Sequence, residues 1–147
     1  MVRRMNSDIP ATLHIIGPAD AHLLEKIAEE VFDEQVTPDL LADYLAEQNH
    51  VLCVAILDGV VIGQARGIIH KHPDNTPELY IDNVAVCPRY QRNGIGLDMV
   101  TELIAIGRAR HCADVWVATE ADNAPARAFY KNFDLTMEPM VMFDGEL

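Results

Sequence analysis

The chain has 147 residues, half of them apolar, which suits one globular domain with a sizeable core. Its 11 basic and 23 acidic residues give a formal net charge of −12, which argues against nucleic acid and anionic membranes as partners and favours a cationic one. The three cysteines are odd in number and far apart, so neither a disulfide framework nor a zinc site is indicated.

The sequence has no membrane or export signal that we can identify. No apolar run reaches the roughly 18 residues needed to span a bilayer. The start, Met1–Met5, carries charges, but no apolar core of a signal peptide follows it. We therefore expect a cytoplasmic protein with a single domain over residues 1–147.

Charge is distributed unevenly along the chain. Between Asp20 and Glu47 lie nine acidic residues and one basic residue, Lys26. Six of the eleven basic residues fall later, between Arg89 and Lys131. The acidic half either forms solvated faces that keep the protein soluble or attracts a cationic ligand, and both interpretations stay open.

The first elements follow from apolar periodicity and local capping signals. Residues 1–10 are expected to be a loose tail, and Thr12–Ile16 reads as the first strand. Apolar residues from Leu23 to Phe32 recur every three or four positions, which predicts a helix with one buried face. Thr37 and Pro38 supply an N-cap and a first-turn proline for a second helix that should end near residue 49.

A hairpin and a third strand occupy the middle of the chain. Val51–Leu57 and Val60–Ile69 are apolar segments separated by Asp58 and Gly59, a dipeptide that accepts the positive φ angles of a tight hairpin turn. After a polar loop, Glu78–Val86 is predicted to form the next strand.

The strand Glu78–Val86 leads through a turn into an amphipathic helix that should run to about Arg110. Gly94 and Gly96 stand at the start of this helix. The free N–H groups of a first helical turn attract phosphate, and glycine allows close approach to it. The turn is not a P-loop, since Gly-Lys-Ser/Thr is missing, and it lacks the spacing of a dinucleotide-binding fold.

Three further elements are predicted beyond this helix. Asp114–Thr119 reads as a buried strand, and Asn123 caps a short helix that runs through Tyr130 and Lys131. The apolar tail Met137–Phe143 is expected to be a last strand.

The turn resembles the coenzyme A loop of the GNAT superfamily of N-acetyltransferases. Its Gln-x-x-Gly-x-Gly spacing is met by Gln91, Gly94 and Gly96, soon after a Val-Ala-Val strand. The order of elements is also the family's, and Asn123 to Tyr130 resembles its Asn-x-x-Ala-x-x-x-Tyr helix. The chain departs from the family where Asp134-Leu135 replaces the usual Gly-Phe.

This resemblance implies an α/β, GNAT-like fold whose central mixed, mostly antiparallel sheet is splayed at an acetyl-CoA site and flanked by helices. It implies an acetyl-CoA-dependent N-acetyltransferase. The residues that it assigns to coenzyme binding are Val84, Ala85, Val86, Gln91, Arg92, Asn93, Gly94, Ile95, Gly96, Asn123, Ala126 and Tyr130.

The resemblance also suggests catalytic residues. Tyr130 matches the family's general acid, and an aromatic anchor of its helix is the alternative role. Asp82 lies where some members carry a catalytic glutamate, and Glu78 or an ordered water is a competing base. Asn123 would hydrogen-bond the pantetheine arm, although an N-cap is an adequate structural role for it.

Within the superfamily, the closest resemblance is to the aminoglycoside 3-N-acetyltransferases. It rests on the Glu78 to Val86 strand and on the Phe143-Asp144 end of the tail. It implies a cationic amine acceptor, for which Asp33, Glu34, Tyr80 and Asp82 are the candidate binding residues. Two alternatives are a polyamine or protein N-acetyltransferase and a non-catalytic coenzyme A-binding module.

The remaining expectations concern metals and partners. The six histidines are scattered, and His70-x-His72 in a polar loop is interpreted as surface rather than as a metal site. The partners expected are a small cationic amine and, as one option, a second copy of the chain in a homodimer. Neither nucleic acid nor a membrane is expected.

Overall fold

The computed structural model describes residues 2–4 and 8–147. Over these residues, six strands form one sheet in which spatial order follows chain order. All neighbouring strands are antiparallel except the last pair, which is parallel. The strands are β1 (Val2–Arg4), β2 (Thr12–Ile15), β3 (His50–Leu57), β4 (Val60–His70), β5 (Glu78–Val86) and β6 (Asp114–Val117).

Helices connect these strands and cover the sheet. The α-helices are α1 (Pro38–Ala46), α2 (Ile95–Ala109) and α3 (Ala124–Tyr130), and the 3₁₀ helices are Pro18–Leu24 and Pro88–Tyr90. The Thr37 side chain accepts a hydrogen bond from the backbone N–H of Leu40, so the predicted N-cap of α1 is confirmed. The mixed, mostly antiparallel sheet flanked by helices is the fold class that the sequence predicts.

The β3–β4 hairpin has the predicted turn. Asp58 and Gly59 both have positive φ angles, of 50° and 78°. Two consecutive residues of this kind match the twist of the flanking strands.

Apolar groups are buried on both faces of the sheet. Along β3, residues 51, 53 and 55 belong to one core cluster and residues 52 and 54 to the other, as the period of two requires. On the first face α2 packs closely against β5: a Cβ added at Gly107 would lie only 3.1 Å from Leu79 Cδ2. On the second face lie α1 and the segment around Val31, which is fully buried.

The prediction of a helix over residues 23–32 is wrong. Only Pro18–Leu24 is helical, as a 3₁₀ helix, and the chain then runs irregularly to α1. The backbone N–H of Val61 donates to the Lys26 carbonyl at 2.8 Å, and the Ala28 N–H donates to the Val61 carbonyl at 2.9 Å. These bonds to β4 replace helical ones, while Leu24 and Val31 are buried and the other apolar residues of the segment are partly buried.

The chain ends also differ from expectation. Val2–Arg4 forms a strand against β2 where a loose tail was expected. The β6 strand stops at Val117 and is half-exposed rather than buried. Residues 136–147 form no strand, and Phe143 is 93% exposed. No helix of the described residues is long and apolar enough to cross a membrane.

Candidate active site

The sheet opens between β5 and β6. The parallel pairing runs only from Glu78↔Asp114 to Ile81↔Val117. Beyond this point β6 has ended, while β5 continues to Val86 alongside β4 alone. The second half of β5 therefore has an unpaired edge, which is the splayed sheet that the resemblance implies.

The backbone groups at this edge can be assigned from the ladder. Residues of an antiparallel strand direct their N–H and C=O groups alternately towards and away from the partner strand. The Cys87 N–H donates to the Ile62 carbonyl of β4 at 2.8 Å, so Val84 and Val86 direct their backbone groups away from β4, into the opening. The Val86 carbonyl accepts a hydrogen bond from Gln91 Nε2 at 3.0 Å.

A β-bulge interrupts β5 just before this edge. Arg66 pairs with Asn83 and Gly67 pairs with Ile81, which leaves Asp82 as the extra residue. The Asp82 side chain is exposed, and its Oδ2 lies 3.5 Å from Arg66 Nε. At this length the contact is an ion pair, and within the described structure Arg66 Nε makes no hydrogen bond.

The turn after β5 is held by its own side chains. Asn93 Nδ2 donates to the carbonyls of Tyr90 at 3.1 Å and Gln91 at 3.0 Å. Arg92 and Gly94 both have positive φ angles, of 63° and 79°. The turn therefore has a defined shape that ends at Gly94, the N-cap of α2.

The N-terminus of α2 has unpaired donors. Gly94 has no side chain to cap the helix, and the Asp98 N–H is the first to bond within it, to the Gly94 carbonyl at 3.0 Å. The N–H groups of Ile95, Gly96 and Leu97 have no acceptor in the part of the chain that is described. A Cβ at Gly94 would meet nothing within 4 Å, so the space before the helix is open. This geometry fits a phosphate group.

The third helix packs against the start of α2. A Cβ at Gly96 would lie 3.3 Å from Phe129 Cε2, so the absence of a side chain there permits this contact. Asn123 Oδ1 accepts a hydrogen bond from the Ala126 N–H at 3.1 Å, which confirms its capping role. Tyr130 is half-buried, and burial raises the pKa of its phenol, which favours the protonated form.

Sequence reasoning missed two polar side chains beside the bulge. Gln64 of β4 is fully buried, and its Nε2 donates to Asn83 Oδ1. Gln64 Oε1 has no hydrogen-bond partner among the described residues. The sequence signal that could have indicated them is the presence of Gln64 and Arg66 in an otherwise apolar strand, because buried polar groups require hydrogen-bond partners.

Tyr44 of α1 was also missed. Its hydroxyl donates to the Val51 carbonyl at 3.4 Å, and its ring stacks on His50 with centroids 4.7 Å apart. Burial raises the pKa of its phenol to about 12, with smaller effects from Arg66, which lowers it, and Asp82, which raises it. Tyr44 thus packs α1 against the start of β3.

The predicted acceptor-binding residues fall into two places. Asp33 and Glu34 line a cleft of about 480 Å³. Three more acidic residues share this cleft: Glu25, Glu29 and Glu30. Glu29 Oε1 lies 3.7 Å from Arg89 Nη2, which places the cleft beside the turn. No hydrogen bond or ion pair of the described residues joins these acids to Tyr80 or Asp82.

Glu78 and Tyr80 lie on the paired half of β5. Glu78 Oε1 accepts a hydrogen bond from Trp116 Nε1 at 3.1 Å, and the Tyr80 and Trp116 rings stack with centroids 4.2 Å apart. Asp82 lies four residue steps along the strand from Glu78, a distance of about 13 Å. The opening starts beyond Ile81, so Asp82 is the acid at its rim.

Solved structures share this architecture. An aminoglycoside acetyltransferase from an uncultured soil metagenomic sample, in complex with sisomicin, superposes with a TM-score of 0.80 at 19% identity, covering 93% of this chain and 96% of that one. The aminoglycoside N-acetyltransferase AAC(6')-Iy, bound to a bisubstrate analogue of coenzyme A, gives 0.74 at 19% identity, covering 93% and 98%. At these identities the likeness concerns the fold.

Sequence comparison identifies the family. The mycothiol acetyltransferase of Saccharopolyspora erythraea is 38% identical over 63 residues, which are 43% of this chain and only 20% of that relative's length. The model of the acetyltransferase (GNAT) family matches residues 20–134. The family model spans most of the chain, and the splayed sheet and uncapped helix N-terminus agree with it, so the chain belongs to the GNAT family.

Proposed function

We propose that this GNAT-family protein is an acetyl-CoA-dependent acetyltransferase that N-acetylates a small polycationic amine, with an aminoglycoside as the first candidate. The observation that carries the proposal is the cleft with five carboxylates. One of them, Glu29, forms an ion pair with Arg89, so the cleft lies beside the turn that joins β5 to α2, which is the predicted coenzyme turn. A concave, acidic surface attracts a cation and orients it. The aminoglycoside acetyltransferases of the same fold support this choice.

The coenzyme would be held mainly by backbone groups. The N–H groups of Ile95, Gly96 and Leu97 would receive the pyrophosphate, and those of Val84 and Val86 would pair with the pantetheine arm. When bound, acetyl-CoA supplies the acetyl group as a thioester. Because backbone groups make most of these contacts, side-chain truncation at Val84 or Val86 should matter less than any change that distorts the strand.

We assign the two proton transfers to Asp82 and Tyr130. Asp82 at the bulge is exposed, so its carboxylate can approach an ammonium group and remove its proton. The Tyr130 phenol would donate its proton to the leaving sulfur, and the raised pKa keeps that proton in place. Glu78 or an ordered water remains the alternative base.

The position of attack is the finer part of the proposal. The resemblance of the β5 sequence favours the 3-N group of an aminoglycoside, whereas the solved neighbour AAC(6')-Iy carries a different position in its name. Amines differ in where they sit on the rigid sugar core, so the walls around Asp82 and the acidic cleft would select one of them. The acetylated product decides between the positions.

An acetylation screen tests the acceptor. Purified protein would be given acetyl-CoA with aminoglycosides, spermidine-like polyamines or peptide amines, and released thiol would be measured. We expect the highest kcat/KM with an aminoglycoside, and nuclear magnetic resonance of its product identifies the acetylated nitrogen. A preference of more than tenfold for peptide amines would refute the proposal, and no turnover with any amine would leave a coenzyme-binding module as the function.

A polyamine is the second candidate because the same cleft favours it. Five carboxylates recognise any flexible polycation, and their spacing imposes no ring geometry. A higher kcat/KM for linear polyamines than for aminoglycosides would select this alternative. Aminoglycoside susceptibility of cells that express the protein gives an independent comparison.

A further inference from the structure

We propose that His70, His72 and Glu78 form a binding site for a divalent transition-metal ion of the Zn²⁺ type. The site lies at the end of the β4–β5 hairpin, on the paired side of β5 and outside the opening that receives the coenzyme. The sequence suggested only a surface loop here, because it showed two histidines and did not indicate that Glu78 lies beside them.

The separations suit one shared ion. His70 Nδ1 lies 3.3 Å and His72 Nε2 lies 3.6 Å from Glu78 Oε1, and all three candidate ligand atoms are within 4.8 Å of one another. Nitrogen and oxygen ligands bound tetrahedrally to zinc at about 2.0–2.1 Å are about 3.4 Å apart. The two shorter separations lie on either side of this value, so the histidines require only side-chain adjustment.

The fold fixes the arrangement. His70 and Glu78 are direct partners in the β4–β5 ladder, so their side chains project from the same face of the sheet. The loop after His70 brings His72 back over it, and the two rings lie with centroids 4.3 Å apart. His70 and Glu78 thus come from paired strands, and His72 belongs to the β4–β5 loop, which a bound ion would hold against the sheet.

The carboxylate is oriented by a neighbouring side chain. Trp116 Nε1 donates to Glu78 Oε1 at 3.1 Å. Three ring nitrogens therefore lie around one carboxylate oxygen, one more than its two lone pairs can accept. A metal ion would use the histidine nitrogens as ligands instead and leave the tryptophan bond as outer support, an arrangement common around metal sites.

Exposure and ligand type indicate the class of ion. The His72 and Glu78 side chains are 26% and 27% exposed and His70 is 55% exposed, so an ion can enter and water can complete its coordination. Two imidazoles with one carboxylate suit zinc, cobalt, nickel or copper, whereas magnesium and calcium prefer oxygen ligands alone.

Metal binding can be measured without acetyl transfer. Zn²⁺ would be titrated by calorimetry into the full-length, untagged protein, and Co²⁺ would be titrated while its visible absorption is recorded. The single tryptophan of the chain, Trp116, adjoins the site, so its fluorescence should change as the ion binds. We expect one ion per chain with all three readouts.

Matched variants decide whether these residues hold the ion. His70→Gln and His72→Gln should each weaken Zn²⁺ binding by at least roughly tenfold, whereas the exposed histidines His22→Gln and His111→Gln should leave it unchanged. Circular dichroism would verify that each variant is folded. Wild-type protein that binds no Zn²⁺ at 1 mM, or folded His70 and His72 variants that bind as the wild type does, would overturn the proposal.

Discussion

At the scale of single residues, the two proposed proton-transfer groups belong to different elements, Asp82 to β5 and Tyr130 to α3. Asp82 is placed by a bulge rather than by the regular alternation of β5, and Arg66 is its nearest cation among the ion pairs of the described chain. Tyr130 ends α3, the helix whose Phe129 packs against Gly96 at the start of α2. These are separate placements, so the two proton-transfer roles can be tested separately.

Replacing Tyr130 by phenylalanine tests the acid. Tyr130→Phe should lower kcat by roughly 10²-fold, the usual effect of losing a general acid, while coenzyme affinity stays unchanged. Burial raises the pKa of the phenol, and the protonated form is the active one, so wild-type activity should not decline through this group until the pH exceeds its ordinary value of about 10. Measuring kcat across pH and titrating coenzyme A into the variant check both expectations. Full activity of the variant would mean that Tyr130 serves only as an aromatic anchor.

Replacing Asp82 by asparagine tests the base. Asp82→Asn should lower kcat by roughly 10²-fold and abolish the acidic limb of its pH profile. Asp74→Asn, an exposed acid in the β4–β5 loop, is the matched control and should change neither. If Asp82→Asn keeps both its rate and its acidic limb, the proton goes to Glu78 or to water, and Glu78→Gln then distinguishes these two.

At the scale of elements, the coenzyme site is a junction between a strand and a helix. The strand has an unpaired edge because β6 is short, and the helix has unpaired N–H groups because its N-cap is a glycine. The turn that joins them bends with two residues of positive φ, Arg92 and Gly94. Its shape should therefore be sensitive to any side chain that opposes this backbone conformation.

Gly94→Val tests the junction. A valine at a φ of 79° is strained, although its Cβ would meet nothing within 4 Å, so the substitution acts through the backbone. We expect the dissociation constant of coenzyme A to rise at least roughly tenfold, about 1.4 kcal/mol. The control is Gly59→Val, which has a φ of 78° and equally open space but lies in the β3–β4 hairpin, outside the turn that joins β5 to α2. Both variants should lose stability, and equal coenzyme affinity in the two would contradict the assignment.

At the scale of the whole molecule, charge is segregated. The chain carries a formal charge of −12, and five acidic residues gather in the cleft formed by the irregular segment before α1. Fields of this kind raise the rate at which cations arrive and are screened by salt over about 8 Å at physiological ionic strength. The acidic half can therefore affect catalysis without contacting the reacting atoms.

Salt dependence tests this effect. For a polycationic acceptor, kcat/KM should fall as sodium chloride is raised from low to physiological concentration and beyond. The pair Asp33→Asn and Glu34→Gln in the cleft should flatten this slope, whereas Asp39→Asn and Asp43→Asn on α1 should alter it less, because they lie outside the cleft. A flat profile in the wild type would leave solubility as the role of these acids.

The sequence predicts the locally determined elements well. The bounds of β5, the two-residue turn at Asp58 and Gly59, and the start of α2 after Gly94 agree with the structure. Each rests on signals among near neighbours: apolar runs, a tolerance for positive φ, or a helix-opening glycine. The family resemblance rests on the same local patterns.

Elements that depend on distant partners were predicted less well. Leu23–Phe32 has helical spacing, but hydrogen bonds between Val61 and the backbone at Lys26 and Ala28 hold the segment in another conformation. The apolar tail resembles a strand, yet no partner strand in the described chain pairs with it. Propensity is a weak guide where tertiary contacts compete with it.

The sequence by itself determined the acidic character of the protein through its composition, and its motif spacing indicated the family and predicted the position of the coenzyme turn. Only the tertiary structure decided where β5 and β6 separate and that Arg66 faces Asp82. It also decided that His70, His72 and Glu78 share one corner of the sheet. The physical reason is that strand pairing brings together residues far apart in the chain, and the register of that pairing depends on the packing of the whole sheet.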